Sequence, residues 1–183
     1  FVIGKLMSTV LSYKIHTVTP YINWIYFFHA WGFQPRYAAI TNIHGCDACR
    51  AMWLASFPVE ERNKASEAMQ LFKEAKRMLD VLDRDYEVRT IFKLCKANSD
   101  GDNLVIEKAE NQFMVFPLLR QQTPKKDGSP FLCLSDFIRP LSSGIPDTLG
   151  AFASSIDADM EGLYEQDPYK HLLVQTLSDR LAE

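Results

Sequence analysis

The fold class follows from residues 88–119, which read VRTIFKLCKANSDGDNLVIEKAENQFMVFPLL. Three runs rich in β-branched, aromatic and other apolar residues, at 88–95, 104–107 and 113–119, each predict a strand. The sequence NSDGD at 98–102 separates the first two runs and is typical of a hairpin turn. Because no helical pattern lies between these strands, the sequence predicts an antiparallel sheet.

Helical patterns lie on both sides of this stretch. Residues 59–82 carry an apolar stripe at helical spacing with charged residues opposite, which predicts a long amphipathic helix. Thr19-Pro20 predicts the start of another helix that runs to Trp31 and is apolar on nearly all sides, as expected for burial on several faces. We expect residues 32–57 to be irregular, and a last helix to run from about Asp157 to the end of the chain. The predicted class is therefore α+β, an antiparallel sheet with long flanking helices.

Shorter segments complete the prediction. Residues 1–5, 131–137 and 149–153 are further strand candidates. Lys125-Lys126-Asp127-Gly128 is typical of a solvated turn between strands. Arg120-Gln121-Gln122 leaves two interpretations open: a strand that runs out into solvent, or a set of donors and acceptors for a polar ligand or a partner domain.

Composition excludes several classes of function. The chain has 183 residues, enough for one domain with a core and too few for two full-sized ones. Its net charge of −3 gives no overall attraction to nucleic acid, so we expect no nucleic-acid partner. No apolar run reaches the ~18 residues that cross a bilayer, and no signal peptide is recognisable. We therefore expect no membrane partner and a cytoplasmic location.

The cysteines supply a weak metal-ligand pattern. His44-x-Cys46-x-x-Cys49 has the spacing of a half-site for zinc, but no second Cys/His pair follows at finger spacing. Cys95 and Cys133 lie alone in strand-like runs, where a free cysteine behaves as a small apolar residue. We expect a plain loop and no bound metal, with His44, Cys46 and Cys49 as the candidates for metal or redox use.

The last turns of the closing helix are charged. Asp179 and Glu183 are four residues apart, hence on one helical face, with Arg180 beside them. A solvated helix face explains this pattern, and so does a site for an ammonium group, a ribose hydroxyl or an imidazole. We find no phosphate-binding glycine loop, nucleophile elbow or catalytic triad in the sequence.

Several short runs occur together in the order found in one known family. They are Tyr21-Ile22-Asn23-Trp24, Phe27-Phe28, Trp31, Leu119-Arg120-Gln121-Gln122-Thr123, Cys133-Leu134-Ser135-Asp136-Phe137, Gly150-Ala151-Phe152-Ala153, Tyr169-Lys170 and Asp179-Arg180-Leu181-Ala182-Glu183. In these runs the chain resembles the activation domain of cobalamin-dependent methionine synthase. The resemblance covers residues 1–183 as one domain, with 36–59 interpreted as an insertion.

The resemblance implies a role in cofactor repair. The family's enzyme is a methyltransferase of methionine biosynthesis that methylates homocysteine through cobalamin. When the cofactor is oxidised to cob(II)alamin, the activation domain binds S-adenosylmethionine and docks over the cobalamin-binding domain. An electron from flavodoxin or a similar reductase, with methyl transfer from S-adenosylmethionine, then restores methylcobalamin. Since the cofactor carries the chemistry, we do not expect the isolated chain to be catalytic by itself.

The resemblance also implies roles for four residues. Asn23 stands where the family has an acid that contacts S-adenosylmethionine, and Glu183 matches a glutamate that contacts the same ligand. Asparagine keeps the carbonyl but loses the charge, so its attraction to an ammonium group is weaker. Asp179 matches an aspartate that meets the histidine released from cobalt. We expect Asp179 and Arg180 to serve docking and switching.

One departure keeps other interpretations open. In the family the closing helix continues to an Arg-x-x-x-Gly-Tyr-Pro segment, so we expect that the C-terminal part of the domain is missing here. The first alternative is a docking module for a cobalamin-binding domain that has no catalytic role. The second is a small metal or redox protein that uses Cys46 and Cys49.

Overall fold

The computed structural model describes residues 9–109, 112–160 and 162–183. These residues form two compact units. The helical unit comprises Leu11–Thr90 and Ser154–Glu183, and the sheet unit comprises Ile91–Ala153 together with Thr9 and Val10. The strand predicted at residues 1–5 lies outside the described residues.

Five strands form one sheet and confirm the predicted α+β class. They follow the order β1-β2-β3-β4, and β5 also pairs with β2. β2 pairs with β3, and β3 pairs with β4, in the antiparallel direction. The strands are β1 (Thr9–Lys14), β2 (Glu87–Asp100), β3 (Asn103–Ala109), β4 (Gln112–Pro117) and β5 (Asp147–Ile156).

The predicted hairpin turn joins β2 to β3. Asp100 pairs with Asn103, so only Gly101 and Asp102 lie in the loop. Gly101 has a φ of +59°, a conformation that glycine adopts without steric cost. Glycine at the first central position of a two-residue loop matches the turns whose twist suits paired strands.

The prediction of a strand at residues 131–137 is wrong. Leu134–Phe137 forms a 3-10 turn, because the Asp136 carboxylate accepts a hydrogen bond from the Cys133 backbone N–H at 2.8 Å and closes the chain on itself. Cys133 is buried, as expected for a small apolar cysteine. The predicted turn at Lys125 to Gly128 is present, with a backbone hydrogen bond of 3.2 Å between its ends.

The described residues form five α-helices, whereas the sequence predicts three. They are α1 (Ile15–Val18), α2 (Trp24–Ala30), α3 (Asp47–Ala55), α4 (Arg62–Leu82) and α5 (Pro168–Ala182). The helix predicted over 59–82 is confirmed as α4, preceded by a 3-10 turn at Val59–Glu61.

The predicted starts of two helices were wrong. Thr19 does not open α2, because its hydroxyl donates back to the Ile15 carbonyl at 2.9 Å and closes the preceding turn. The closing helix begins at Pro168 rather than near residue 157, since Tyr164 has a φ of +61° and interrupts any earlier helix. Asp167 then caps α5 by accepting from the Lys170 backbone N–H at 3.2 Å.

The segment predicted to be irregular, residues 32–57, is largely helical. It forms a 3-10 helix at Pro35–Asn42 and then α3. Its aromatic side chains enter the core: the rings of Tyr37 and Phe57 stack 5.2 Å apart, and Trp53 meets Phe57 edge to face at 4.9 Å. Burial of these rings stabilises a segment that lacks strong helical periodicity.

The core of the helical unit lies between α2, α4 and α5. Phe27 and Phe28 of α2 are fully buried, whereas Ile25 is 49% exposed, so α2 is buried on one side and not on nearly all sides. The buried apolar residues of α4 and α5 recur at helical spacing and are Ala65, Ala68, Leu71, Ala75, Met78, Leu79, Leu82, Leu173, Val174, Leu177 and Leu181. No helix within the described residues is both long and apolar enough to span a membrane.

Candidate functional site

Arg180 joins the end of α5 to the first turn of α2. Its guanidinium carbon lies 5.9 Å from the centre of the Tyr26 ring, within the range of a cation–π contact. Its Nη1 donates to Glu183 Oε2 at 2.7 Å. Its Nε is buried and has no hydrogen-bond partner among the described residues. The structure therefore brings together the two chain segments that carry the predicted ligand-binding residues.

Asn23 is the residue immediately before α2. Its backbone carbonyl accepts a hydrogen bond from the Phe27 N–H at 3.3 Å, while its side chain makes no capping hydrogen bond. The side chain is exposed. The amide is therefore available to a ligand.

The two acids at the end of α5 differ in their surroundings. Glu183 follows the last helical residue, Ala182, and its carboxylate is held by Arg180. Asp179 is exposed and forms no ion pair within the described part of the chain. The Arg180–Glu183 pair offers a cationic donor and an anionic acceptor side by side, which suits a ligand that carries both a carboxylate and an ammonium group.

The three candidate metal ligands also converge. His44, Cys46 and Cys49 place their ligand atoms within 4.8 Å of one another. Hydrogen bonding to His44, and then to the Cys49 backbone and thiol, lowers the pKa of Cys46 to about 7. The hydrogen bond between the two thiols raises the pKa of Cys49. Of the two thiols, Cys46 is therefore the one that loses its proton first as the pH rises.

Arg120 is a structural residue of the sheet unit. Its guanidinium donates to Asp102 Oδ1 at 2.7 Å and to both carboxylate oxygens of Asp136 at 2.7 Å. Gln121 pairs with Leu132 through its backbone N–H at 2.9 Å and accepts from the Leu132 N–H at 3.3 Å. Of the two interpretations of Arg120-Gln121-Gln122, neither matches in full, because Arg120 and Gln121 are occupied by contacts within the chain.

A groove along α4 was not predicted from the sequence, because the residues that line it come from separate parts of the chain. It has a volume of about 850 Å³ and an aromatic wall in which Trp31 and Tyr169 meet at 5.4 Å. The Tyr169 hydroxyl donates to Glu74, and burial together with this contact raises the pKa of Tyr169. The Trp31 Nε1 is buried without a partner among the described residues. Both aromatic residues belong to the runs that carry the family resemblance.

The fold is that of an α+β protein in which charged and polar side chains lie at the adjoining ends of two helices. The chain matches the family described as vitamin B12 dependent methionine synthase, activation domain, over residues 14–183, and it belongs to that family. A solved structure described as the MetH reactivation domain bound to AdoHcy is similar to it, with 32% sequence identity and a TM-score of 0.69. The match covers 98% of this chain and 52% of the other, so this chain spans about half the length of that relative. The resemblance inferred from the sequence is confirmed.

Proposed function

We propose that this chain acts in the S-adenosylmethionine-dependent reductive reactivation of cob(II)alamin in cobalamin-dependent methionine synthase. The observation that carries the proposal is the family match over residues 14–183. The relative of 32% identity binds AdoHcy, the molecule that remains when S-adenosylmethionine has given up its methyl group. This supports S-adenosylmethionine as the methyl donor that the chain holds.

The residues at the ends of α2 and α5 fit such a ligand. The exposed carboxylate of Glu183 suits the ammonium group or a ribose hydroxyl, and the amide of Asn23 supplies a second polar contact. The unpartnered Nε of Arg180 is an orphaned buried donor that an acceptor at this site would satisfy. In this proposal Glu183 and Asn23 orient the methyl donor, and Arg180 holds Glu183 in position.

The proposal names the partners of the chain as well. Cobalamin is carried by the cobalamin-binding domain of the synthase and supplies the methyl-accepting cobalt. Flavodoxin or a similar reductase supplies the electron, in the cytoplasm. Asp179 is exposed on the last turn of α5, where an imidazole released from cobalt could reach it. Methyl transfer to homocysteine, and so methionine biosynthesis, belongs to the whole enzyme.

The test is recovery of methylcobalamin. The chain is added to a methionine synthase that lacks its activation domain and is held as cob(II)alamin, with reduced flavodoxin and S-adenosylmethionine. We expect the cob(II)alamin absorbance to fall and methylcobalamin to appear only when both the chain and S-adenosylmethionine are present. Recovery that does not depend on the chain would contradict the proposal.

A second candidate function is a non-catalytic docking module. Apolar side chains on β4 are exposed, with Phe113 at 61%, Val115 at 57% and Phe116 at 45%. An exposed apolar surface of this kind is common at protein–protein contacts. Tight binding to the cobalamin-binding domain without S-adenosylmethionine-dependent recovery would favour this alternative.

A further inference from the structure

Three metal-ligating side chains meet where α3 begins. A ring nitrogen of His44 and the Sγ atoms of Cys46 and Cys49 all lie within 4.8 Å of one another. Cys46 directly precedes α3, and its Sγ accepts a hydrogen bond from the Cys49 N–H at 3.4 Å. None of the three side chains is buried, so an ion can reach them from solvent.

The backbone around the cluster is held in place. The Arg50 N–H donates to the Cys46 carbonyl at 3.1 Å, which fixes the first turn of α3. At the other end of the helix, Trp53 is buried and packs against Phe57. The two thiols therefore lie at the start of a helix that is anchored in the core, which keeps the ligand set organised without the metal.

The donor set selects a thiophilic cation. Two cysteine sulfurs and one imidazole nitrogen are ligands of Zn²⁺ and of cations of similar softness. With bonds of about 2.3 Å to sulfur and about 2.0 Å to nitrogen, tetrahedral ligand atoms lie about 3.5–3.8 Å apart. The ligand atoms, now at most 4.8 Å apart, need to approach one another by about 1.3 Å at most to reach this geometry.

We propose that His44, Cys46 and Cys49 form an open, three-ligand site for Zn²⁺. Three protein ligands leave the fourth position of a tetrahedral ion for water or a group from outside, whereas structural zinc sites use four. This replaces our expectation from the sequence that the segment is a plain loop without metal. The spacing alone could not show that Cys46 caps a helix or that the side chain of His44 lies beside both thiols.

The test is a titration of the reduced, full chain with Co²⁺, followed by displacement with Zn²⁺. We expect one equivalent of Co²⁺ to give thiolate-to-metal charge transfer and tetrahedral d–d absorption, and Zn²⁺ to abolish both. Cys46→Ser, Cys49→Ser and His44→Asn should each weaken binding at least tenfold. Cys95→Ser is the matched control, because Cys95 lies within β2, and it should bind like the unaltered chain.

Alkylation of the thiols gives a readout that needs no variant. Zn²⁺ should protect Cys46 and Cys49 from iodoacetamide, as located by mass spectrometry, and leave the reaction of Cys95 unchanged. Absence of the Co²⁺ bands, equal binding by the cysteine variants, or no protection would overturn the proposal. If the reduced thiols bind no metal and Cys46 and Cys49 form a disulfide on oxidation, the pair is a redox pair and the proposal is overturned. None of these readouts depends on the proposed role in reactivation.

Discussion

At the scale of single residues, some charged side chains hold distant parts of the chain together, whereas others are exposed and form no ion pair among the described residues. Arg120 belongs to the first kind, because its guanidinium bridges the β2–β3 turn at Asp102 and the 3-10 turn at Asp136. Asp179 belongs to the second kind, since it is exposed and forms no ion pair among the residues described. Sequence reasoning could not separate these cases, because Arg120 and its partners are distant in the chain.

The Asp136 carboxylate should make stability sensitive to acid. Its contacts with Arg120 and with the Cys133 N–H lower its pKa from 3.8 to about 2. A lowered folded-state pKa contributes stability above about pH 4, and this contribution is lost as the pH falls to about 2. Asp136→Asn should remove that part of the pH dependence from the free energy of unfolding.

The measurement is urea unfolding at a series of pH values from neutral to acidic. Asp85→Asn is the control, since Asp85 is exposed and forms no ion pair among the described residues. An Asp136→Asn profile parallel to that of the unaltered chain between pH 4 and 2 would show that the ion pair contributes nothing to stability.

Asn23 offers a gain-of-affinity test. If its amide oxygen accepts a hydrogen bond from the ammonium group of the ligand, Asn23→Asp replaces a bond with one charged partner by a bond with two, worth about 1 kcal/mol more. We expect AdoHcy to bind about fivefold more tightly, as measured by calorimetry. Asn42→Asp adds the same charge at another exposed position of the helical unit and should leave the affinity unchanged.

At the scale of elements, helices and strands with a regular side-chain pattern could be predicted from the sequence. Elements that depend on an unusual cap or a local side-chain contact could not. The long helix α4 and the strand β5 follow from side-chain patterns within the sequence. The helix α3 was missed because a cysteine, Cys46, occupies the N-cap position where serine, threonine or aspartate is the usual signal. The turn at Leu134–Phe137 was missed because the run is apolar enough to read as a strand.

The helix α3 should be part of the core rather than an appended loop. Trp53 is buried and Met52, its neighbour, is 73% exposed. Trp53→Ala should lower the free energy of unfolding by about 3–5 kcal/mol, whereas Met52→Ala should change it by less than about 0.5 kcal/mol. Chemical denaturation followed by circular dichroism measures both. Equal effects of the two substitutions would mean that α3 does not stabilise the helical unit.

At the scale of the whole molecule, the packing of α2 against α5 brings together the two segments that carry the proposed ligand-binding residues. Sequence patterns alone predicted an α+β domain with an acidic helix end, and only the family resemblance assigned roles to Asn23 and Glu183. The contact of Arg180 with Tyr26 joins these two regions, and no local pattern could predict it because it depends on how α2 and α5 pack.

Asp179 should matter to the assembly and not to the stability of the chain. Asp179→Asn keeps the shape, removes the charge and should change the free energy of unfolding by less than about 0.5 kcal/mol. In a complete synthase, the same change should slow methylcobalamin recovery, because a released histidine would lose its ionic partner. Thermal unfolding and the recovery rate are the two measurements. A large loss of stability with normal recovery would identify Asp179 as structural.

The ligand site is tested most directly by titrating the nitrogen-15-labelled chain with AdoHcy and following the amide NMR signals. We predict that shifts follow one saturable curve and concentrate around Asn23 and Glu183, and that Glu183→Gln weakens the binding at least about tenfold. Glu60→Gln, at an exposed glutamate without an ion pair among the described residues, should bind like the unaltered chain. Shifts that concentrate in the sheet unit, or no shifts at millimolar AdoHcy, would contradict the assignment of the ligand site to the ends of α2 and α5.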